Sequence, residues 1–201
     1  MAANLKQRYT LEEYLELDRD SEERLEFWNG EIFNMSGASD AHDTIEVNMI
    51  ACLAPRLAGK GCRLLSANMR IKVPSAPPYR YGDLSALCGE AQFEKIGGVD
   101  AVVNPSLIVE VLSPSTEKYD FDVKFRQYQS IESFREYMLV RQDRIFVTHF
   151  VKRENGEWIH HIYDEATHTI NLESIECRIL VSEIYRNVSL AEHGITDPET
   201  R

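Results

Sequence analysis

Residues 107–124 read Leu-Ile-Val-Glu-Val-Leu-Ser-Pro-Ser-Thr-Glu-Lys-Tyr-Asp-Phe-Asp-Val-Lys and place a carboxylate, Glu110, within an apolar run. A short, β-branched, apolar stretch is typical of a central strand that is covered on both faces. Burying an unpaired carboxylate is costly, so Glu110 needs a cation beside it, either a basic side chain or a metal ion. The chain offers Asp83, in a similar apolar setting, and Lys124, on the helix expected to follow. Two acids and a lysine suggest a metal-dependent hydrolase.

Asp83 and Glu110 lie on strands that we expect to be neighbours in one sheet, where two carboxylates converge on one ion. Magnesium suits them, with manganese as the alternative, because it prefers oxygen ligands and retains bound water. Such an ion activates water at neutral pH. Lys124 would return over the strand end and orient that water or stabilise the developing charge on the phosphate.

Each of these residues also has a simpler interpretation. Glu110 would pair with an arginine, and Asp83 would serve as a turn or strand-end residue. Lys124 would form a local ion pair with Asp120, four residues earlier, and Asp120 would cap the helix. The joint pattern favours the catalytic interpretation over these separate ones.

Acidic residues outnumber basic ones 33 to 22, which gives a net charge of −11. This counts against an extended grip on nucleic acid, since such binding comes mostly from lysine and arginine. It does not exclude a nucleic-acid enzyme, because a bound divalent ion adds positive charge where it is needed. The densest basic stretch is a weak candidate for nucleic-acid binding, with a solvated face as its alternative. Its members are Arg56, Lys60, Arg63, Arg70 and Lys72.

We infer the cellular compartment from two features that the sequence lacks. No apolar run approaches the ~20 residues of a membrane span, and the N-terminus has no signal-peptide stretch. We therefore expect a cytoplasmic protein without a membrane partner. The four cysteines have no Cys-x-x-Cys spacing, which favours small buried side chains over a zinc site or a disulfide scaffold. They are Cys52, Cys62, Cys88 and Cys177.

Local signals predict the elements of the first part of the chain. Thr10 and Glu13 form a capping box that opens a short helix through Leu17. Asn29-Gly30 is a type I′ turn signal and predicts a hairpin. Apolar residues at helical spacing predict a long helix over residues 40–58, with a kink at Pro55.

Strands and one helix are predicted over the rest. Strands are expected at residues 63–73, 81–88, 107–112 and 135–140, a loop at 89–105, and a helix at 120–130 with Phe121, Phe125 and Tyr128 on one side. Asn155-Gly156 predicts a second hairpin, between residues 145–151 and 158–163. The pattern predicts a single domain over residues 1–201, with its core at about 8–190. The fold class is α/β in the mixed α+β sense, with an antiparallel C-terminal extension.

Six stretches of the chain resemble the Uma-two family of restriction-endonuclease-like proteins over about residues 8–190. They are Glu-Phe-Trp-Asn-Gly-Glu-Ile (26–32), His42 at a helix start, Gly-Asp-Leu (82–84), Pro-Ser-Leu-Ile-Val-Glu-Val-Leu-Ser-Pro-Ser-Thr (105–116), Tyr-Asp-Phe-Asp-Val-Lys-Phe-Arg-Gln-Tyr (119–128) and Arg-Glu-Tyr-Met-Leu-Val (135–140). The resemblance implies a PD-(D/E)xK nuclease fold: a restriction-endonuclease-like central mixed sheet flanked by helices, with an N-terminal hairpin. It also implies magnesium-dependent cleavage of phosphodiester bonds.

By this resemblance, Asp83 and Glu110 are the metal carboxylates and Lys124 is a catalytic lysine displaced onto the next helix. The common motif places the lysine two residues after the acid, where this chain has Leu112. A second departure is Gly82, where the family usually has proline.

Four further residues are candidates for supporting roles. Glu26 would bind a second ion or a ligand, and His42 would shuttle a proton or contact phosphate. Asp120 and Tyr128 flank Lys124 on the predicted helix. The simpler interpretation is a solvated glutamate for Glu26 and a structural histidine for His42.

The leading hypothesis is a magnesium-dependent endonuclease that acts on DNA as a homodimer, because restriction enzymes of this fold often act as dimers. The alternatives are a catalytically silent nuclease-fold module for binding or assembly, which the acidic net charge favours, and a small-molecule phosphohydrolase.

Overall fold

The computed structural model describes residues 8–35, 37–114 and 116–190. The elements of the first half are α1 (Leu11–Asp20), β1 (Leu25–Trp28), β2 (Glu31–Asn34), α2 (Asp40–Leu57), β3 (Cys62–Ser66), β4 (Arg70–Ile71), β5 (Arg80–Tyr81), β6 (Leu84–Cys88), β7 (Phe93–Ile96), β8 (Val99–Val102) and β9 (Leu107–Leu112). A π-helical turn (Tyr119–Lys124) then continues into α3 (Phe125–Tyr128). The remaining elements are β10 (Glu136–Arg141), β11 (Val147–Lys152), β12 (Trp158–Tyr163), β13 (Thr169–Leu172), a 3₁₀ turn (Glu173–Ile175), β14 (Cys177–Leu180) and α4 (Val181–Ile184).

A six-stranded sheet with the order β12-β11-β10-β9-β6-β3 forms the centre of the molecule. β9 and β10 run parallel, and the other neighbouring pairs run antiparallel. Every residue of β9 is buried, as expected for a strand covered on both faces. The π-helical turn and α3 provide the crossover that two parallel strands require. The mixed sheet that the sequence predicts is thereby confirmed.

Side chains alternate along β9 and divide the core between the two faces of the sheet. Val109 contributes to a cluster with residues of α2, among them Ile45 and Met49. Ile108 and Leu112 belong to a second cluster on the opposite face. The alternation puts Glu110 on the face of Ile108 and Leu112, beneath the π-helical turn.

The capping box and the N-terminal hairpin are confirmed, whereas the first helix continues beyond its predicted end at Leu17 to Asp20. The hydroxyl of Thr10 accepts from the backbone N–H of Glu13, and the Glu13 carboxylate accepts from the backbone N–H of Thr10. Asn29 and Gly30 have φ of 50° and 78°, the left-handed values that a type I′ turn requires. β1 and β2 pair antiparallel on either side of this turn.

Two predicted strands, at residues 63–73 and 81–88, are each divided between two sheets. β3 and β6 belong to the central sheet, whereas β4 and β5 belong to a four-stranded sheet with the order β5-β4-β8-β7. The chain changes sheets at Gly82, where a Cβ atom would lie 2.9 Å from Cγ2 of Ile108. A side chain at this position would therefore require Ile108 to move.

The predicted loop at residues 89–105 contains a hairpin instead. β7 and β8 pair antiparallel across Gly97 and Gly98, whose φ values are 62° and 87°. The prediction was wrong because β7 is mostly exposed, so its side chains do not show the apolar alternation of a half-buried strand.

The predicted helix at residues 120–130 begins as a π-helical turn. Six residues, Tyr119–Lys124, have this wider winding before four α-helical ones follow. Phe121 is 46% exposed and meets Phe150 edge-on, whereas Phe125 stacks on Tyr137 with the ring centroids 5.3 Å apart. Turns of this kind occur frequently at functional sites.

Cys62 and Cys88 form a disulfide, which corrects the prediction that all four cysteines are small buried side chains. Antiparallel pairing of β3 with β6 places the two residues directly opposite each other. Their separation of 26 residues gives no local signal of this pairing. Cys52 and Cys177 are free and buried, as expected.

None of the helices in the described part of the chain combines the length and the apolar character that crossing a lipid bilayer demands.

Candidate active site

Asp83 and Glu110 lie side by side because β6 pairs antiparallel with β9. Leu84 is opposite Val109, so Asp83 precedes the pairing on one strand and Glu110 follows it on the other. Oδ2 of Asp83 accepts a hydrogen bond of 2.6 Å from the backbone N–H of Val111, which fixes the carboxylate at the strand end. Both acids line a cavity of about 470 Å³. The expectation that their strands are neighbours is confirmed.

Lys124 reaches Glu110 from the π-helical turn. Its Nζ lies 3.2 Å from Oε1 and 3.3 Å from Oε2 of Glu110 and donates to the carbonyl of Tyr81 at 2.9 Å. The lysine is only 1% exposed. Leu112, where the common motif has its lysine, packs in the core. Lys124 therefore lies beside Glu110 although position 112 is not a lysine.

The cluster around Lys124 holds more negative than positive groups. Oδ1 of Asp120 lies 3.6 Å and Oε1 of Glu26 lies 3.8 Å from Nζ. All three carboxylates, including Glu110, are buried. Glu26 also accepts from the backbone N–H of Tyr81 at 2.7 Å, so it is not the solvated hairpin glutamate of the simpler interpretation.

Burial and charge act in opposite directions on these groups. Burial raises the pKa of Glu110 well above its usual range, and the ammonium of Lys124 opposes it only in part. Burial lowers the pKa of Lys124, but Glu110, Glu26 and Asp120 outweigh it and leave that pKa well above its usual value. These carboxylates therefore favour the charged form of the lysine.

Tyr128 supports Glu110 from the other side. Its hydroxyl donates to Oε1 of Glu110 at 2.9 Å, and burial raises its pKa well above the ordinary value for tyrosine. A neutral phenol of this kind holds the carboxylate by a charge-assisted hydrogen bond.

His42 and Glu46 extend the site from α2. Nε2 of His42 lies 3.3 Å from Oδ2 of Asp83, and Nδ1 lies 4.0 Å from Oε2 of Glu46. One ligating atom from each of these three residues lies within 4.8 Å of the others. Burial lowers the pKa of His42, but Asp83 and Glu46 outweigh it and raise that pKa.

Sequence reasoning missed Glu46, although the residue lines the same cavity as Asp83 and Glu110. A glutamate on an amphipathic helix is ordinarily solvated, so it attracts no notice on its own. The spacing of four residues from His42 was the available signal, because it puts both side chains on one helix face.

A divalent cation fits these residues. Asp83, Glu46 and Glu110 all line this cavity with their carboxylates. His42 adds an imidazole, with Nε2 3.3 Å from Asp83 and Nδ1 buried without a hydrogen-bond partner.

None of the five basic residues of the weak nucleic-acid candidate lines this cavity as the structure describes it, and Arg56 and Lys60 line a separate one. Arg56, Arg70 and Lys72 are held by acidic side chains, and Arg70 is buried. Lys60 donates to a backbone carbonyl, and Arg63 is exposed.

The sheet order and the acid–acid–lysine arrangement define a restriction-endonuclease-like protein. A solved structure described as "a putative nuclease belonging to DUF820 from Anabaena variabilis ATCC 29413" has a TM-score of 0.65 to this chain and 16% sequence identity. The alignment covers 88% of this chain and 97% of that one. At this identity the likeness shows the fold.

The chain belongs to the Uma-two family, whose model, "Uma2: Putative restriction endonuclease", matches residues 11–180. Two relatives are uncharacterized proteins of Synechocystis sp. (strain ATCC 27184 / PCC 6803 / Kazusa). The protein slr1290 is 30% identical over 178 residues, 89% of this chain and 92% of its own length. The protein sll1609 is 32% identical over 150 residues, 75% of this chain and 84% of its own length.

Proposed function

We propose that this protein is a divalent-metal-dependent endonuclease that hydrolyses phosphodiester bonds in DNA. The observation that carries the proposal is the pairing of Lys124 with Glu110, beside Asp83, in one cavity. A buried glutamate needs only one cation for its own stability, and Lys124 supplies it. Asp83, which no lysine or arginine pairs with among the described contacts, is then available to a metal ion.

In this proposal Asp83 and Glu110 hold magnesium or manganese. The bound cation supplies an activated water and neutralises charge on the phosphate. Lys124 lowers the pKa of Glu110 against the larger effect of burial, and it lines the cavity, where its ammonium can donate to a phosphate oxygen. Tyr128 fixes the orientation of the glutamate. Glu26 and Asp120 hold the ammonium in place from the other side.

The net charge of −11 affects how the substrate would be bound. Because none of the predicted basic residues lines the cavity, attraction of a phosphate would depend on the bound cation and on Lys124 and Arg24, which do line it. We expect weak non-specific binding to DNA in the absence of a divalent ion. The homodimer and the cytoplasmic location belong to the same proposal, and solution mass measurement tests the first.

The second candidate is a catalytically silent nuclease-fold module. It is favoured by the burial of Lys124, which is 1% exposed and surrounded by protein acceptors. A purely structural lysine would have this environment too.

Supercoiled plasmid with magnesium or manganese tests the proposal, with an RNA of similar length and a small phosphodiester as parallel substrates. We expect nicking by the wild-type protein and loss of nicking in Asp83→Asn, which retains an acceptor for the N–H of Val111. Lys95→Met, which removes an exposed lysine, is the matched control and should cleave normally. Absence of DNA cleavage with either metal would support the silent module, and equal cleavage by Asp83→Asn would refute the proposed site.

A further inference from the structure

His42, Glu46 and Asp83 form a compact set of possible metal ligands. The ligating atoms lie within 4.8 Å of one another, and ligands on opposite sides of one ion are about 4.2 Å apart when each bond is about 2.1 Å. His42 and Glu46 come from successive turns of α2, and Asp83 comes from the adjoining strand end. One cation can therefore contact all three after small side-chain movements.

The histidine carries a separate sign of a missing partner. Its Nδ1 is buried and makes no hydrogen bond in the described structure. Leaving a buried polar group unsatisfied is unfavourable. Asp83 lies 3.3 Å from the other ring nitrogen, Nε2, so Nε2 is the atom that would share a cation with Asp83, and Nδ1 would then carry the proton, with a Glu46 oxygen 4.0 Å away.

Glu110 has a different environment, although it lines the same cavity. Lys124 and Tyr128 take up its oxygens at 2.9–3.3 Å. Glu110 is therefore only partly available to the cation of the proposed function, and ligands from α2 would complete the site that Asp83 and Glu110 begin.

We infer that His42 and Glu46 join Asp83 as ligands of the resident cation, and that this mixed nitrogen and oxygen set selects manganese over magnesium. The inference rests on the proposed function, since it concerns the cation of the same site. The carboxylates of Asp83 and Glu46 together match the charge of a divalent ion, while Lys124 balances the carboxylate of Glu110. An imidazole nitrogen suits first-row transition ions, whereas magnesium prefers ligand sets made of oxygen alone.

Manganese binding to the purified full chain tests the inference without measuring cleavage. The paramagnetic resonance signal of free manganese reports binding, and magnesium serves as the competitor. Wild-type protein should bind one manganese ion at this site and require a much higher magnesium concentration for displacement. Loss of a ligand should weaken binding by about tenfold or more in Glu46→Gln and in His42→Asn. His42→Asn should also reduce the preference for manganese over magnesium.

Asp43→Asn is the matched control, because Asp43 lies on the same helix but is exposed and outside the ligand set. It should bind manganese within about threefold of wild type, since exposed charges are largely screened. Circular dichroism melting of each variant verifies that it is folded, and Glu46→Asp, which keeps the carboxylate, is the second variant at that position.

Unchanged manganese affinity in folded Glu46→Gln and His42→Asn would overturn the inference and leave the proposed nuclease standing if Asp83-dependent cleavage is seen. A wild-type protein that prefers magnesium would overturn it as well. Failure of wild type to bind either metal, with no DNA cleavage, would overturn the inference and the proposed function together.

Discussion

Replacing Lys124 with methionine should destabilise the protein strongly. The change removes the ammonium 3.2 Å from Glu110 and keeps a side chain of similar length in a site that is 1% exposed. Asp120 and Glu26, at 3.6 Å and 3.8 Å, lose the same cation. Removing one partner of a buried ion pair costs about 3–5 kcal/mol because the other charge is left uncompensated. We expect a loss of this size in the free energy of unfolding at pH 7.

The loss should depend on pH with a definite sign. Burial already raises the pKa of Glu110 in the folded protein, and removing Lys124 raises it further. A carboxyl group with a raised folded-state pKa binds more protons when folded, so its contribution to stability falls as pH rises between the unfolded and folded pKa values. The deficit of Lys124→Met relative to wild type should therefore shrink on acidification from pH 8 to pH 5.

Urea unfolding, followed by the fluorescence of Trp28 and Trp158, measures both effects. Lys95→Met removes a lysine that is 72% exposed and should change stability by no more than about 0.5 kcal/mol. The double variant Glu110→Gln with Lys124→Met should recover part of the loss, because it removes the orphaned charge. If Lys124→Met is as stable as Lys95→Met at pH 7, the described burial and pairing of Lys124 are incorrect.

Two further variants test contacts outside the three residues of the candidate site. Gly82→Ala should lower the free energy of unfolding in urea by about 1–3 kcal/mol, because the new Cβ meets a methyl group of Ile108 at 2.9 Å. Adding Ile108→Ala to the same chain should make this cost smaller. An unchanged unfolding midpoint in Gly82→Ala would contradict the close approach. Burial raises the pKa of Glu136, but hydrogen bonds from His149 and Ser174 outweigh it and lower that pKa. The ionised carboxylate of Glu136 therefore stabilises the folded protein above the unfolded-state pKa near 4.3. This stabilisation is lost as pH falls through the folded-state pKa of Glu136. Glu136→Gln should therefore be less stable than wild type by about 1.5–3 kcal/mol at pH 7 and approach it below about pH 4, whereas a deficit independent of pH would refute this assignment.

Local signals in the sequence predicted the elements with strong patterns of their own. The Asn29-Gly30 turn, the capping box at Thr10 and the buried run of β9 each depend on residues close together in the chain. Asp83 and Glu110 could be expected to meet because Asp83 adjoins one apolar strand and Glu110 lies within another, and such strands pair in one sheet.

The sequence could not show features that arise from register and close packing between distant segments. The disulfide of Cys62 with Cys88 requires the register of β3 against β6. The chain changes sheets at Gly82, where Ile108, 26 residues later, packs closely against it, and the apolar pattern of the sequence does not show this contact. The position of Glu46 beside Asp83 likewise depends on how α2 packs on the sheet.

The π-helical turn has the largest consequence for function. The prediction of a regular helix over residues 120–130 did not decide whether Lys124 faces Glu110. In the structure, Tyr119–Lys124 has the wider π-helical winding, and Lys124 contacts Glu110. The sequence supplied the three residues of the candidate site, and their distances came only with the folded chain.

The central claim is that Asp83, Glu110 and Lys124 act as one catalytic unit, and single-turnover cleavage of plasmid DNA at saturating divalent metal tests it most directly. We predict that Asp83→Asn, Glu110→Gln and Lys124→Met each lower the rate by about 10² or more, and that Glu110→Gln with Lys124→Met together is no slower than the worse of the two. A folded Lys124→Met protein that cleaves at the wild-type rate would contradict the claim.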